Sequence, residues 1–192
     1  MITVVEQIGP DARRRILECV YELFSTRAVR DVGIDEIVQR SGVAKATLYR
    51  HFPSKDALVV AFLQLREERW TYAFVEAGAR RRGGKGEGAL LAIFDVFDVW
   101  FRQDDFEACA FINVLLELGE EHPAGRASTE HLENIRGLIR TFAEEAGLRD
   151  PAGFARSWHI LMKGSIVSAV EGDRDAAVRA QALGRLLIEQ HR

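Results

Sequence analysis

The sequence predicts an all-α protein. Apolar residues recur at the spacing of helix faces along most of the 192-residue chain, and no segment shows the strict alternation of a half-buried strand. Proline and glycine stand where helices should begin and end, as Pro151 and Gly172 do around residues 151–170. We expect two domains, an N-terminal three-helix domain at residues 1–53 and a C-terminal helical domain at residues 54–192.

Three helices are predicted before residue 53. The first, near residues 11–27, has an apolar stripe at positions i, i+1, i+4, i+7 and i+8 counted from Ile16. In the second, the apolar residues at i, i+3 and i+4 from Ile34 share one face. Gly42 then tolerates a left-handed backbone, which lets the chain reverse before a third helix at residues 44–52. A short helix, a tight turn and a second short helix form a helix-turn-helix, which presents its second helix to the major groove of DNA.

The exposed side chains of the third helix are predicted to be small, to carry a hydroxyl group or to be cationic. Its exposed positions are predicted to be Ala46, Thr47, Tyr49 and Arg50, with Ala44 and Lys45 at the tip. Pro53 ends this helix, Ser54 is the expected N-cap of the next, and Lys55 stands at the N-terminus of that next helix. Backbone N–H groups and a lysine at such an end suit a DNA phosphate.

The segment GVAKATLYRHFPSKDAL at residues 42–58 closely resembles the signature of the tetracycline-repressor (TetR) family of bacterial transcription regulators. The resemblance extends over about residues 13–65. It implies an all-helical homodimer with an N-terminal DNA-binding domain and a C-terminal domain that binds a small molecule and dimerises. By this resemblance, base and phosphate contacts fall at Ala44, Lys45, Ala46 and Thr47, and phosphate anchors at Tyr49, His51 and Lys55. Gly33 departs from the family pattern, in which a Thr or Ser caps the second helix and contacts phosphate.

Composition restricts the class of protein. The hydrophobic content of 47% indicates a globular protein, and no stretch reaches the roughly 18 uninterrupted apolar residues needed to span a membrane. The net charge of -3 argues against non-specific coating of nucleic acid, so DNA affinity has to come from locally placed basic residues. The opening MITVVEQIGP lacks the pattern of a signal peptide, so we expect a cytoplasmic protein. Cys19 and Cys109 lie far apart and are expected to be buried side chains rather than a disulfide or a zinc site.

The rest of the chain is predicted to be helical, with one glycine-rich interruption. A fourth helix runs from Ser54 towards Ala77 and links the two domains. The run RRRGGKGEG at residues 80–88 combines like charges with glycine and is interpreted as a mobile loop rather than a DNA contact. Further helices are predicted at about residues 87–103, 108–121, 123–146, 151–170 and 174–190.

Aromatic residues at helical spacing concentrate in the C-terminal domain. They indicate either a solid core or an apolar cavity between helices, which is how small-molecule sites are commonly built. If there is a cavity, we expect a small hydrophobic or amphipathic effector to bind between the linking helix and the C-terminal helices. The residues expected to line it are Trp70, Phe74, Phe97, Trp100, Phe101, Asn113, Trp158, His159 and Met162. Asn113 and His159 would orient the effector, whereas in a solid core they would be satisfied by backbone or water.

The last two helices mix large apolar residues with small ones, among them Gly164 and Gly184, and this mixture permits close helix packing. The family resemblance assigns these helices to the interface of a homodimer. A two-fold interface would match a palindromic operator in double-stranded DNA. The alternative is that the two helices only close the core of the monomer.

Neither a metal site nor a catalytic site is predicted. The spacing of the candidate metal ligands matches no metal motif and is typical of a solvated helix end. These candidates are Glu117, Glu120, Glu121, His122 and His131. Ser157 and His159 stand two residues apart on a predicted helix, so their side chains do not face each other. We therefore expect no cofactor and no enzymatic activity.

The expected function is that of a ligand-responsive transcriptional repressor. It would bind a palindromic operator as a homodimer and leave it when a small hydrophobic effector binds. Two alternatives remain open: a helical small-molecule-binding protein without a DNA function, and a helical enzyme that uses His159. Specific, salt-sensitive binding to duplex DNA distinguishes the first from the other two, and turnover identifies the third.

Overall fold

The computed structural model describes residues 10–192, and all the regular structure in that range is helical. The helices are α1 (Pro10–Thr26), α2 (Ile34–Ser41), α3 (Lys45–His51), α4 (Lys55–Arg66), α5 (Ala77–Gly83), α6 (Glu87–Phe101), α7 (Ala110–Leu118), α8 (Pro123–Glu145), α9 (Pro151–Val170) and α10 (Ala176–His191). A 3-10 turn, Val29–Asp31, precedes α2, and a π-helical segment, Glu67–Glu76, joins α4 to α5. The all-α prediction is confirmed. The opening segment MITVVEQIGP, which is predicted not to be a signal peptide, lies outside the described residues apart from Pro10.

The chain forms two compact units. The first contains the residues up to Arg66 together with Ala110–Thr129, and the second contains Glu67–Cys109 together with Glu130–Arg192. This division differs from the predicted boundary after residue 53, because α4 packs against α1 and α7 packs against α4. No helix in the described range is long and apolar enough to cross a membrane.

The helix-turn-helix of the first unit forms as its local sequence predicts. Gly42 closes α2 in the left-handed conformation, at φ 63° and ψ 32°, and its N–H donates to the carbonyl of Val38. That conformation costs glycine little, so the turn into α3 stays short. Ser54 caps α4, since its Oγ accepts from the N–H of Ala57 at 3.1 Å.

Aromatic packing holds α4 against α1 in the first unit. The ring of Phe62 meets Tyr21 and Phe24 nearly edge-on, with centroids 5.8 and 5.6 Å apart. Leu48 on α3 is completely buried. At the end of α4 the buried guanidinium of Arg66 donates to the Tyr21 hydroxyl at 3.2 Å. The short helix α3 is therefore held by a packed bundle.

The prediction of a mobile loop at residues 80–88 is wrong for its first half, which completes α5. Its glycines serve a close helix approach, because a Cβ on Gly83 would lie 1.9 Å from the carbonyl oxygen of Gly88. Glu145 then fixes the turn, accepting from the guanidinium of Arg80 at 3.1 Å and from the N–H of Gly86 at 3.1 Å.

In the second unit, α6 packs against α5, α9, α10 and the π-helical segment. Its Phe94 and Phe97 are almost completely buried. The cysteines are buried in different units, Cys19 in the first and Cys109 in the second, as the sequence predicted.

Candidate DNA-binding surface and effector region

The exposed face of α3 carries most of the predicted DNA contacts. Its exposed residues are Ala44, Lys45, Ala46, Tyr49 and Arg50. Tyr49 is 41% exposed although it carries a large aromatic ring. Small, aromatic-hydroxyl and cationic groups thus share one face of a seven-residue helix, an arrangement that fits the width of a major groove.

Three predicted contact residues are less exposed than the sequence indicated. Thr47 is only 6% exposed, so it lies on the packed side of α3 and not on the outer side where its spacing placed it. His51 is half-buried, and its Nε2 is buried without a partner among the described residues. Lys55 is half-buried in the first turn of α4, next to the Ser54 cap.

An acidic residue that the sequence analysis did not single out stands beside this face. Asp35, in the first turn of α2, accepts a hydrogen bond from Lys45 Nζ at 2.7 Å. This hydrogen bond and the carboxylate charge raise the pKa of Lys45. Both side chains are largely exposed, so the pair lies on the solvent side of the helix-turn-helix.

The candidate metal ligands do not converge. Glu117 accepts hydrogen bonds from the backbone N–H groups of Val29 at 2.9 Å and Arg30 at 2.7 Å. The prediction of a solvated helix end is therefore wrong for Glu117. His122 Nε2 lies 3.4 Å from a carboxylate oxygen of Asp56.

The remaining candidates are also apart. His131 lies in the second unit, with its Nδ1 3.0 Å from a carboxylate oxygen of Glu67. It is buried, so the prediction of a solvated helix end is wrong for His131 as well. Glu120 and Glu121 are exposed. Across residues 10–192 the structure contains no group of three or more His, Cys, Asp or Glu side chains placed to hold a metal ion.

Asn113 was expected among the aromatic residues of the effector region, but the structure places it elsewhere. It is exposed on α7 in the first unit. There it lines a groove of about 280 Å³ together with residues that include Phe24, Arg30 and Glu117. The apolar run around Asn113 in the sequence gave no sign of this exposure, because it did not reveal which neighbour α7 packs against.

The predicted aromatic residues do gather in the second unit. Trp70 packs against Phe97 and Trp100 with centroids 6.0 and 5.1 Å away, and Phe101 lies 5.5 Å from Phe97. Phe94 extends this cluster to Trp158, at 5.2 Å. The sequence analysis did not place Phe94 in the site, although its position on the aromatic α6 was a signal for it. Met162 is buried on α9, and Phe74 is half-buried in the π-helical segment.

Two buried donors in this aromatic cluster lack acceptors. Within the described residues, Nε1 of Trp70 and Nε1 of Trp158 have no hydrogen-bond partner, although the two side chains are only 6% and 0% exposed. Buried indole N–H groups usually find a partner. The described part of the chain therefore supplies no acceptor for these two N–H groups, which are available to a water molecule or to a bound compound.

His159 faces a different neighbour from Trp158. It is 3% exposed, and its Nδ1 lies 3.4 Å from a guanidinium nitrogen of Arg136 on α8. Burial, followed by the charges of Lys163 and Arg136, lowers the pKa of His159 to about 3. The imidazole is therefore neutral near pH 7 and accepts from Arg136.

The outer face of α9 and α10 is unusually apolar. Its exposed large side chains are Ile160, Val167, Val170, Val178, Leu183 and Leu186. Gly164 is also exposed, and no described atom lies within 4 Å of the place its Cβ would take. Gly184 does not belong to this face, because a Cβ there would lie 2.8 Å from Cη2 of Trp158 in the same chain.

Comparison with known proteins relates the chain to transcription regulators. Residues 16–62 match the family model described as bacterial regulatory proteins, tetR family. The uncharacterized HTH-type transcriptional regulator Rv1255c of Mycobacterium tuberculosis is 41% identical over 158 residues, which cover 81% of this chain and 74% of that protein. The HTH-type transcriptional activator FasR of Mycolicibacterium smegmatis is 43% identical over 54 residues, 28% of this chain and 25% of that protein.

A solved structure extends the similarity to nearly the whole chain. The crystal structure of SCO4454, a TetR-family transcriptional regulator from Streptomyces coelicolor, has a TM-score of 0.84 and 26% sequence identity to this chain. The comparison covers 97% of this chain and 98% of that one. Both compact units therefore have counterparts in one known regulator.

Proposed function

Because this chain belongs to the TetR family of bacterial regulatory proteins, we propose that it is a ligand-responsive transcriptional repressor, which acts in the cytoplasm on a palindromic operator. The observation that carries the proposal is the exposed face of α3, where Lys45, Tyr49 and Arg50 stand together on a helix behind a glycine turn. Phosphate contacts at this face position the protein on the duplex, while contacts to base edges select the sequence.

A homodimer through α9 and α10 completes the DNA-binding form. The exposed Ile160 and Val167 on α9, with Leu183 and Leu186 on α10, form an apolar face of the kind that marks protein interfaces. A two-fold interface brings two copies of α3 to one duplex, so a palindrome is the matching operator.

The effector proposed for the second unit is a small, mostly apolar and uncharged compound with hydrogen-bond acceptors. The aromatic rings favour an apolar compound, and the unpartnered N–H groups of Trp70 and Trp158 favour acceptors. Release of DNA requires tighter effector binding to the DNA-incompetent conformation. About 1.4 kcal/mol of differential affinity is needed for each tenfold loss of operator affinity.

Gel-shift titration tests the DNA function directly, using the duplex upstream of the chain's own gene and a scrambled duplex over a range of salt concentrations. Lys55→Ala and Tyr49→Phe should weaken binding to both duplexes alike, because phosphate contacts carry no sequence information. Lys55→Ala should also reduce the salt slope by about one unit. Lys85→Ala, an exposed lysine in the second unit, is the matched control. Equal binding of both duplexes by the wild-type protein would contradict the proposal.

Tryptophan fluorescence tests the effector site. A library of uncharged apolar compounds that carry ketone, ether or ester oxygens should contain quenchers that also release the operator duplex. Trp158→Phe keeps an aromatic ring but loses the indole N–H, so it should weaken the response. Asn113→Ala, at an exposed position on α7, should leave it unchanged. Quenching without release of DNA would count against ligand control.

Activation is the second candidate for the sign of regulation, and the name of FasR, an HTH-type transcriptional activator, supports it. In vitro transcription from the bound promoter separates the two signs. Fewer transcripts on addition of the protein support repression, and more transcripts support activation.

A further inference from the structure

Glu117 connects α7 to the turn in front of the helix-turn-helix. One oxygen of its carboxylate accepts from the N–H of Val29 at 2.9 Å, and the other accepts from the N–H of Arg30 at 2.7 Å. These are the first two N–H groups of the 3-10 turn Val29–Asp31, and the first N–H groups of a helical turn have no acceptor within it. Hydrogen bonds to an ionised acceptor are stronger than neutral ones. The carboxylate therefore holds this turn at two adjacent points.

The 3-10 turn is itself hydrogen-bonded to α2 through Arg27. Arg27 donates to the carbonyl of Asp31 at the end of the turn and to the carboxylate of Glu36 in the first turn of α2. Val32, between the turn and α2, is completely buried. A displacement of the N–H groups that Glu117 holds must therefore move the start of α2, on which the placement of α3 depends.

The position of α7 in the chain makes this contact a route for regulation. The segment Ala110–Thr129, which contains α7, belongs to the first unit, but the chain continues into the second unit at both of its ends. Glu117 lies 88 positions along the chain from Val29. A rearrangement of the second unit can therefore pull on α7 from both ends without passing through α4.

We propose that Glu117 is the positioning residue by which α7 sets the placement of the helix-turn-helix, and that regulation acts by withdrawing its carboxylate from Val29 and Arg30. The regulatory part rests on the proposed function. The contact itself makes no use of an effector and is tested without one. Its role differs from that of Lys45 or Tyr49, because Glu117 acts on DNA only through the turn.

The test compares Glu117→Gln with Glu120→Gln, a matched control at an exposed glutamate just beyond the end of the same helix. Hydrogen exchange is measured at the amides of Val29 and Arg30, and affinity is measured for the duplex upstream of the gene. Glutamine keeps the size of the side chain but loses the charge and one acceptor oxygen. Glu117→Gln should exchange at these amides at least about tenfold faster. It should also bind the duplex about tenfold more weakly, which requires the released turn to be the main state of the free variant. Glu120→Gln should match the wild type in both.

A second measurement separates positioning from simple stabilisation. Because coupling between two sites is reciprocal, saturating wild-type protein with the duplex should slow exchange at both amides, by at least the factor that Glu117→Gln loses in affinity. A side chain that only stabilises the fold would not give this DNA-dependent protection. Glu117→Gln should show little of it, at an unchanged thermal unfolding midpoint for the second unit.

The outcomes that overturn the proposal are distinct from failure of the proposed function. Faster exchange in Glu117→Gln with unchanged duplex affinity would show that Glu117 only caps the 3-10 turn and does not position the helix-turn-helix. Unchanged exchange would show that the carboxylate does not hold the two amides in solution. If the wild-type protein fails to prefer the duplex, repression through this operator fails, while exchange without DNA still decides whether Glu117 holds the turn.

Discussion

The exposed face of α3 and the aromatic cluster of the second unit differ in how deeply their side chains are buried. The α3 face comes from a single stretch of sequence, and its Lys45 and Tyr49 are exposed. The aromatic cluster joins the π-helical segment, α6 and α9, and its Phe97 and Trp158 are completely buried. Changes on the α3 face should therefore alter binding at constant stability, whereas changes around the cluster should alter stability first.

The largest effect is expected at Gly184. Gly184→Arg places a side chain where a Cβ alone would come within 2.8 Å of Trp158, and it buries a charge without a partner. Overpacking together with an unpaired buried charge should lower the free energy of unfolding by about 3 kcal/mol or more. Chemical denaturation monitored by circular dichroism measures the loss. Gly137→Arg, at a glycine of α8 whose Cβ would meet no described atom within 4 Å, should unfold like the wild type, and equal destabilisation of both variants would show that the core assignment is mistaken.

Assembly should respond at the outer face of α9 and α10. Leu183→Arg changes a side chain that is 53% exposed in the single chain, so the monomer should keep its stability. In the proposed dimer the introduced arginine would lie close to the same arginine of the partner, and the two like charges would separate the subunits. A monomer would bind only one half of the operator, so operator affinity should fall by about a hundredfold. Sedimentation velocity at micromolar protein gives the oligomeric state. Arg185→Ala, an exposed neighbour on α10, is the control, and a dimeric Leu183→Arg protein would place the interface elsewhere.

Local patterns predicted the helices well. The helix expected at residues 151–170 is observed as Pro151–Val170, because proline and glycine mark helix ends through local backbone preferences. Exposure of the recognition helix was also largely predictable, with Thr47 as an exception. A helix of seven residues has too few turns for its periodicity to show which flank is covered by a neighbour.

Contacts distant in sequence could not be predicted. Asn113 and Glu117 lie in the C-terminal half of the sequence, yet α7 packs in the first unit beside residues almost ninety positions earlier. Gly184 was expected at a homodimer interface formed by the last two helices, but the spacing of small residues does not say which side of α10 meets Trp158. The spacing along a helix fixes which residues share a face, while the neighbour of that face depends on the tertiary fold.

A pH-dependent change in stability is expected from His159. Its pKa is about 3 in the folded chain against an ordinary 6.5, so between these values the unfolded chain binds the proton and the folded chain does not. Stability is therefore complete above about pH 6.5 and falls with pH towards 3, by up to about 1.4 kcal/mol per pH unit. Urea unfolding over this range measures the slope.

His159→Gln removes the titrating group and keeps an acceptor for Arg136, so this component of the slope should disappear. His191→Gln removes another histidine of the second unit and should keep the slope. An unchanged slope in His159→Gln would mean that the imidazole is already solvated or charged in the folded protein.

The smallest effect is expected at Asp35 and belongs to binding alone. The hydrogen bond from Lys45 to Asp35 joins two exposed side chains at 2.7 Å, and exposed pairs contribute little to stability.

In Asp35→Asn the lysine is no longer held by a carboxylate, and a negative charge that repels the DNA phosphates is removed from the protein. Affinity for a scrambled duplex should rise by up to about fivefold and its salt slope should steepen by up to about one unit. Affinity for the operator should rise less, because Lys45 is then less restricted to the base contact proposed for it. Discrimination between the two duplexes should therefore fall. Gel-shift titration of both duplexes measures the ratio, with Glu22→Gln, an acidic residue paired with Arg40 on the same unit, as the control. Improved discrimination in Asp35→Asn would show that the carboxylate does not orient Lys45 for reading the operator.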